Sequence, residues 1–273
     1  MNDGEGWGSW IRGCAIGCGA LVLAVAVLAA IGVARVIRPL QSAVDTRAVL
    51  ESRFGTEGDY TPPASGALEP ARIEAFLHVR SGLVDACDRL AASTVDLAAM
   101  EELDRQEMPS RGEVWRHAAA ATRSAMRMGP LMGDLFEHRN KLLLAAGMGL
   151  GEYSHLYVVA YHDQLVAERP RTGILDGSPV NRRIHLALQG MVGRQLDAAR
   201  SAGLPAGWIA ELEHEHDLLM ADITRIPWQD VLPETTRGSL EPYRGDLDAT
   251  FCAAATEIEL LRNVRRTLGV ESE

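Results

Sequence analysis

The chain has 273 residues, 47% of them hydrophobic and 23% charged, which is enough to bury one or two cores. Its net charge of −10 excludes a nucleic-acid partner held by phosphate contacts, because no basic stripe exists to displace counterions. Only 5% of the residues are aromatic, while Ala, Leu, Arg and Glu abound, a mixture that favours helices over sheets.

Residues 1–12 read as a short tail carrying Trp7 and Trp10. Residues 13–34, GCAIGCGALVLAVAVLAAIGVA, hold no charge and lie between Arg12 and the pair Arg35 and Arg38. About 20 apolar residues at ~1.5 Å rise cross a hydrocarbon core of ~30 Å, so the run predicts a single transmembrane helix. The tryptophans ahead of it suit the membrane interface. A cleaved signal peptide would have a shorter apolar region ending at a small-residue cleavage site. Lipoprotein processing would place Cys14 or Cys18 after the apolar stretch, not before it. The expected location is therefore the inner (plasma) membrane, single-pass. Flanking Lys and Arg differ by only a charge or two, which leaves the side of the soluble domain open.

Residues 35–68 carry Pro, Gly and Ser without sustained periodicity, and read as a juxtamembrane helix followed by a linker. Residues 69–273 read as an all-α bundle of about five to six helices with a long central helix. Glu69-Pro70 opens the first, with Ile73, Phe76, Leu77, Arg80, Leu83, Val84 and Cys87 near one face. It is predicted to run to about Arg105. Ser110 and Glu113 form the start of a second helix, which Gly129-Pro130 is expected to stop. The third, from about Leu131 to Ala167, is apolar nearly all round, the mark of a buried central helix. A fourth runs from Pro179 to about Ala202, a fifth to Pro227, and a last from Leu247 to Leu268. Between the last two, PWQDVLPETTRGSLEPY is read as irregular.

The four cysteines include no C-x-x-C pair, so neither a zinc nor a redox motif is indicated. Cys87 and Cys252 would fit a disulfide in an oxidising compartment, but two ordinary buried thiols is the reading taken.

The densest chemistry lies in GMGLGEYSHLYVVAYHDQL, residues 147–165. On a helix, Glu152, His155, Val159, His162 and Asp163 share one stripe, and Tyr153, Tyr157 and Tyr161 an adjacent one. Burying such groups costs several kcal/mol unless they find partners, so this band is a candidate polar core or ligand site. A metal reading rests on Glu152-x-x-His155 and Glu213-x-x-His216, the spacing used by dimetal carboxylate sites in bundles, with Glu74 or Glu137 as further carboxylates. Taken alone, the fifth helix turns Leu212, His216, Leu219 and Ile223 inward and His214, Glu215 and Asp222 outward. His155 and His162 lie roughly 10 Å apart along a helix, too far for one ion. The preferred reading is a satisfied polar network among packed helices, with Gly147, Gly149 and Gly151 permitting a bend or close approach. GMGLG lacks the preceding strand and the Gly-Lys-Ser/Thr ending of a phosphate loop. Trp228 and Tyr243 are candidate partner-docking residues.

Function at this level is a non-catalytic, membrane-anchored interaction or scaffold domain of a bacterial envelope, with a protein partner and no cofactor. The alternatives are a ligand-sensing helical domain and a metal-binding enzyme that holds a transition-metal ion through carboxylates and histidines.

Overall fold

The computed structural model describes residues 41–93, 111–172 and 179–256, with side chains placed throughout except at 111–127, 168–172 and 179–184. The apolar run 13–34, Trp7, Trp10 and most of the expected last helix lie outside the described residues. The described residues are helical and contain no strand. Ten helices are described: α1 (41–54), α2 (Pro70–Gly82), α3 (84–93), α4 (Arg111–Ala146), α5 (Leu150–Ala160), α6 (His162–Thr172), α7 (Pro179–Ser201), α8 (Ala206–Ala221), α9 (Glu234–Leu240) and α10 (Arg244–Thr250). Among the described residues no single helix is long and apolar enough to cross a membrane.

Several boundaries differ from the sequence reading. Pro130 does not stop a helix but sits inside α4. A proline forfeits one backbone bond and bends a helix; packing of Leu135, Phe136 and Leu143 beyond it carries α4 onward. The long central helix, in contrast, is broken. Gly147 adopts φ +61°, and the amides of Gly147 and Met148 bond back to the carbonyls of Leu144 and Leu143. That paired closure caps α4, and the chain leaves it to form α5 at an angle of 101°. A second break falls at Tyr161, between α5 and α6. The first helix likewise turns at Leu83.

Pro227 does not end α8, which stops at Ala221; residues 222–232 form a strap instead. The segment read as irregular contains α9 and a 3-10 turn at Glu241–Tyr243. The expected last helix is interrupted: α10 ends at Thr250 and an extended Phe251-Cys252 follows. Cys87 and Cys252 are buried free thiols.

The core forms where α2, α4, α5 and α10 meet, lined by Ile73, Phe76, Val79, Leu83, Leu143 and Leu156. α7 and α8 make an antiparallel hairpin beside it: His185 reaches the Leu219 carbonyl, while at the far end Arg200 pairs with Glu213 at 2.6 Å. The segment read as a linker is bound to the body. Asn140 of α4 donates to the Ala43 carbonyl, Arg194 and Gln195 of α7 to the carbonyls of Tyr60 and Pro63, and Trp208 of α8 to that of Ala64. The bonds to Tyr60, Pro63 and Ala64 satisfy main-chain oxygens that a free linker would leave to water.

Candidate functional site

The tyrosines of α5 and of its C-terminal cap rise one turn apart, and their rings touch in sequence. Tyr153 and Tyr157 have centroids 6.1 Å apart, and Tyr157 and Tyr161 5.0 Å apart, edge to face. All three are buried. Phe76 of α2 closes one side and Phe251 the other.

Into this wall of rings α2 inserts Arg80, whose side chain is only 1% exposed. Its Nη1 donates to the Tyr153 hydroxyl (3.0 Å), its Nε to that of Tyr161 (3.1 Å) and its Nη2 to the Thr250 carbonyl (3.1 Å). The guanidinium also lies 5.1 Å and 5.3 Å from the ring centroids of Tyr157 and Tyr161, within cation–π range. Arg139 of α4 approaches Phe136 and Tyr153 at 4.9 and 5.7 Å. Tyr157 donates to Thr256. One arginine thus ties α2, α5 and α10 through donors whose flat, forked geometry suits several acceptors at once.

The second stripe does not assemble into one site. Glu152 is gripped by Arg72 of α2 through two bonds of 2.5 Å, Nε to Oε1 and Nη2 to Oε2. This hydrogen-bonded carboxylate holds the Arg72 guanidinium above its usual pKa. His155 faces the Tyr60 ring at 5.8 Å, and burial pushes its imidazole down to about 4, so it is neutral near pH 7. His162 sets its Nε2 2.7 Å from the Trp228 carbonyl oxygen and its Nδ1 2.9 Å from Asp163. Asp163 also accepts from Arg244 of α10 at 3.0 Å; the His162 bond holds its carboxyl below the ordinary range against the opposing effect of burial, and Arg244 adds to the lowering.

The other metal candidates take separate places. Glu213 is on the surface with Arg200, and His216 lies along the α7 seam beside Gly193. Glu74 accepts from Tyr243 and Glu137 from Lys141. Among the described residues no three His, Cys, Asp or Glu side chains gather as a ligand set. α8 also faces differently from the sequence reading. Its buried face is Leu212, Glu215 and Leu219, whereas Ile223 is exposed.

Glu215 turns inward because the strap supplies its partners. Arg225 approaches it at 3.3 Å, and the Trp228 amide donates to its Oε1 at 2.8 Å. Trp228 is accordingly not a surface docking residue: it is 5% exposed and stacked on Trp208 at 5.8 Å with the planes 15° apart. Its φ of +63° lies in the left-handed region, which costs a residue bearing a Cβ about 1–2 kcal/mol. Three anchors hold it there: Glu215 on its N–H, His162 at its carbonyl oxygen and Trp208 on its ring. His185 adds a fourth hold on the strap, with Nδ1 3.2 Å from the Arg225 carbonyl oxygen.

Arg80, Arg139, His185 and Arg225 carry much of this framework, and the sequence reading assigned a role to none of them. The one available signal was Arg80 itself, a charge on the apolar face of α2. Compared with known protein families, curated proteins and solved structures, the chain gives no match.

Proposed function

We propose that the protein is a non-catalytic interaction domain tethered to the inner membrane of a bacterial envelope by the apolar helix of residues 13–34. The observation that carries the interaction role is a group of apolar side chains turned to solvent at one end of the α7–α8 hairpin. Leu186 is 55% exposed, Met220 61% and Ile223 41%. Leu186 follows His185, which bonds the Leu219 carbonyl, and Met220 contacts Gln189, so α7 and α8 present these side chains at the same end. Large side chains left in water are contact material for a protein partner when they cluster. The Glu, Tyr and His band of α5 and α6 supports this reading from inside, since its bonds join helices to one another.

The tether supplies location and the hairpin end supplies contact. A photo-cross-linking residue placed at Leu186 of the full chain in cells should give a discrete adduct, which Met220→Glu abolishes and which the same probe at Asp197 does not give. The full chain should stay with membranes through an alkaline wash, and a form lacking residues 13–34 should not. Release of the full chain by the wash would overturn the tether. An adduct indifferent to Met220→Glu, or none at all, would overturn the contact surface.

A further inference from the structure

A cleft of about 270 Å3, its mouth included, opens between α5, α7 and the middle of the strap. It lies on the face of α5 that carries His155, Val158 and Val159. Val158, Val159, Leu188, Met191 and Val192 make apolar walls, and Trp228 forms one side. No Asp, Glu, Lys or Arg lines it.

Two polar side chains face this apolar space. Gln195, only 3% exposed, spends its Nε2 on the Pro63 carbonyl at 2.8 Å, and its Oε1 has no hydrogen-bond partner among the described residues. His155 likewise has none among the described residues, and as a neutral imidazole it offers one N–H and one lone pair. An unpartnered amide oxygen and a neutral imidazole in an otherwise apolar cleft are complementary to one hydroxyl. That group donates to Gln195 Oε1 and accepts from the His155 N–H. An ionised ligand would be buried here without a counter-charge.

As it stands, the enclosed part of the cleft is hardly larger than one water, so a ring fits only if a wall moves. Trp228 is that wall. It is the one described non-glycine residue with positive φ, held in place by Glu215, His162 and Trp208. Backbone strain held by surrounding bonds is typical of residues that clamp ligands, and moving Trp228 outward would release it.

We propose that this cleft is a binding site for a small uncharged molecule bearing one ring and one hydroxyl, admitted by displacement of Trp228. The site is independent of the membrane tether and of the hairpin-end surface, and each can fail without the other.

The test titrates the full chain with 4-fluorophenol, followed by fluorine NMR, with 4-fluorobenzoate as the charged counterpart. Saturable one-site binding is expected for the phenol, with the benzoate weaker by about tenfold or more. Gln195→Leu and His155→Leu should each weaken the phenol by about tenfold. Leu188→Trp, which fills the cleft, should leave only the non-saturable background. A nuclear Overhauser effect from the bound probe to the Met191 methyl in the unmodified chain tests the location without any variant. Non-saturable phenol binding, equal benzoate binding, retained affinity in folded Leu188→Trp, or an effect absent at Met191 would each overturn the proposal.

Discussion

The Arg80 Nε donates to the Tyr161 hydroxyl at 3.1 Å, and that same hydroxyl stands 3.0 Å from Thr250 Oγ1. One oxygen therefore joins helices α2 and α10 to the end of α5. Tyr161→Phe keeps the ring and removes the joint, at a cost of about 1–3 kcal/mol for the buried groups it strands. Arg80→Met strips donors from two tyrosines and the Thr250 carbonyl together, and should cost about 2–4 kcal/mol. Equilibrium urea denaturation should rank the two in that order. Midpoints equal to the unmodified chain would show that the ring stack alone holds these helices.

Gly151 should resist the replacement that helices normally welcome. Alanine is favoured over glycine inside a helix by about 1 kcal/mol. A Cβ at Gly151 would meet the Tyr60 Cβ at 2.5 Å and the Glu57 carbonyl oxygen at 2.9 Å, with backbone and Cβ atoms that cannot swing aside. Gly151→Ala is expected to destabilise by about 1–3 kcal/mol. Gly238 on α9 has nothing within 4 Å of its Cβ position, and Gly238→Ala should stabilise modestly. Thermal melts showing the same sign for both would refute the close approach.

Trp228 offers the opposite comparison. Both Trp228→Gly and Trp228→Ala lose the indole stacked on Trp208, so their packing losses nearly cancel. At φ +63° only glycine is unstrained. The glycine variant should therefore be the more stable of the two, by about 1 kcal/mol, the reverse of the order in a helix. A chemical denaturation series placing alanine above glycine would mean that the strap relaxes on losing the ring.

His155 should leave a mark on the pH dependence of stability. Its folded value of about 4 lies below the 6.5 of a free imidazole. Between those values the unfolded chain takes up a proton that the folded chain does not, so stability is complete above pH 6.5 and falls as pH drops toward 4. Asp163, depressed below its usual range, contributes stability that is lost only at pH values below that window. His155→Gln should flatten the decline in urea midpoint between pH 6.5 and 4.5. An unchanged slope would place His155 in contact with solvent.

Much of the helical layout is written in the sequence, because an apolar period and a cap act over a few residues. Pro179 opening α7 and Gly203 closing it are local signals, and the three tyrosines share a face of α5 simply by spacing. What escapes such reading is decided by distant partners. Glu215 lies inside because Arg225 and the Trp228 amide meet it there, and α8 taken alone would turn His216 inward. Pro130 fails to end α4 because side chains beyond it are captured by the core. Arg139 and His185 look like ordinary surface residues until helices from elsewhere in the chain enclose them.

Asn140 donates to the Ala43 carbonyl and the Thr46 hydroxyl, joining α1 directly to α4. With Ala43 and Leu50 buried along the same helix, a pull arriving ahead of residue 41 has no slack to take up before it loads α4. Force applied at α1 would reach α4 through Asn140 and, through residues 60–64, the α7–α8 hairpin as well.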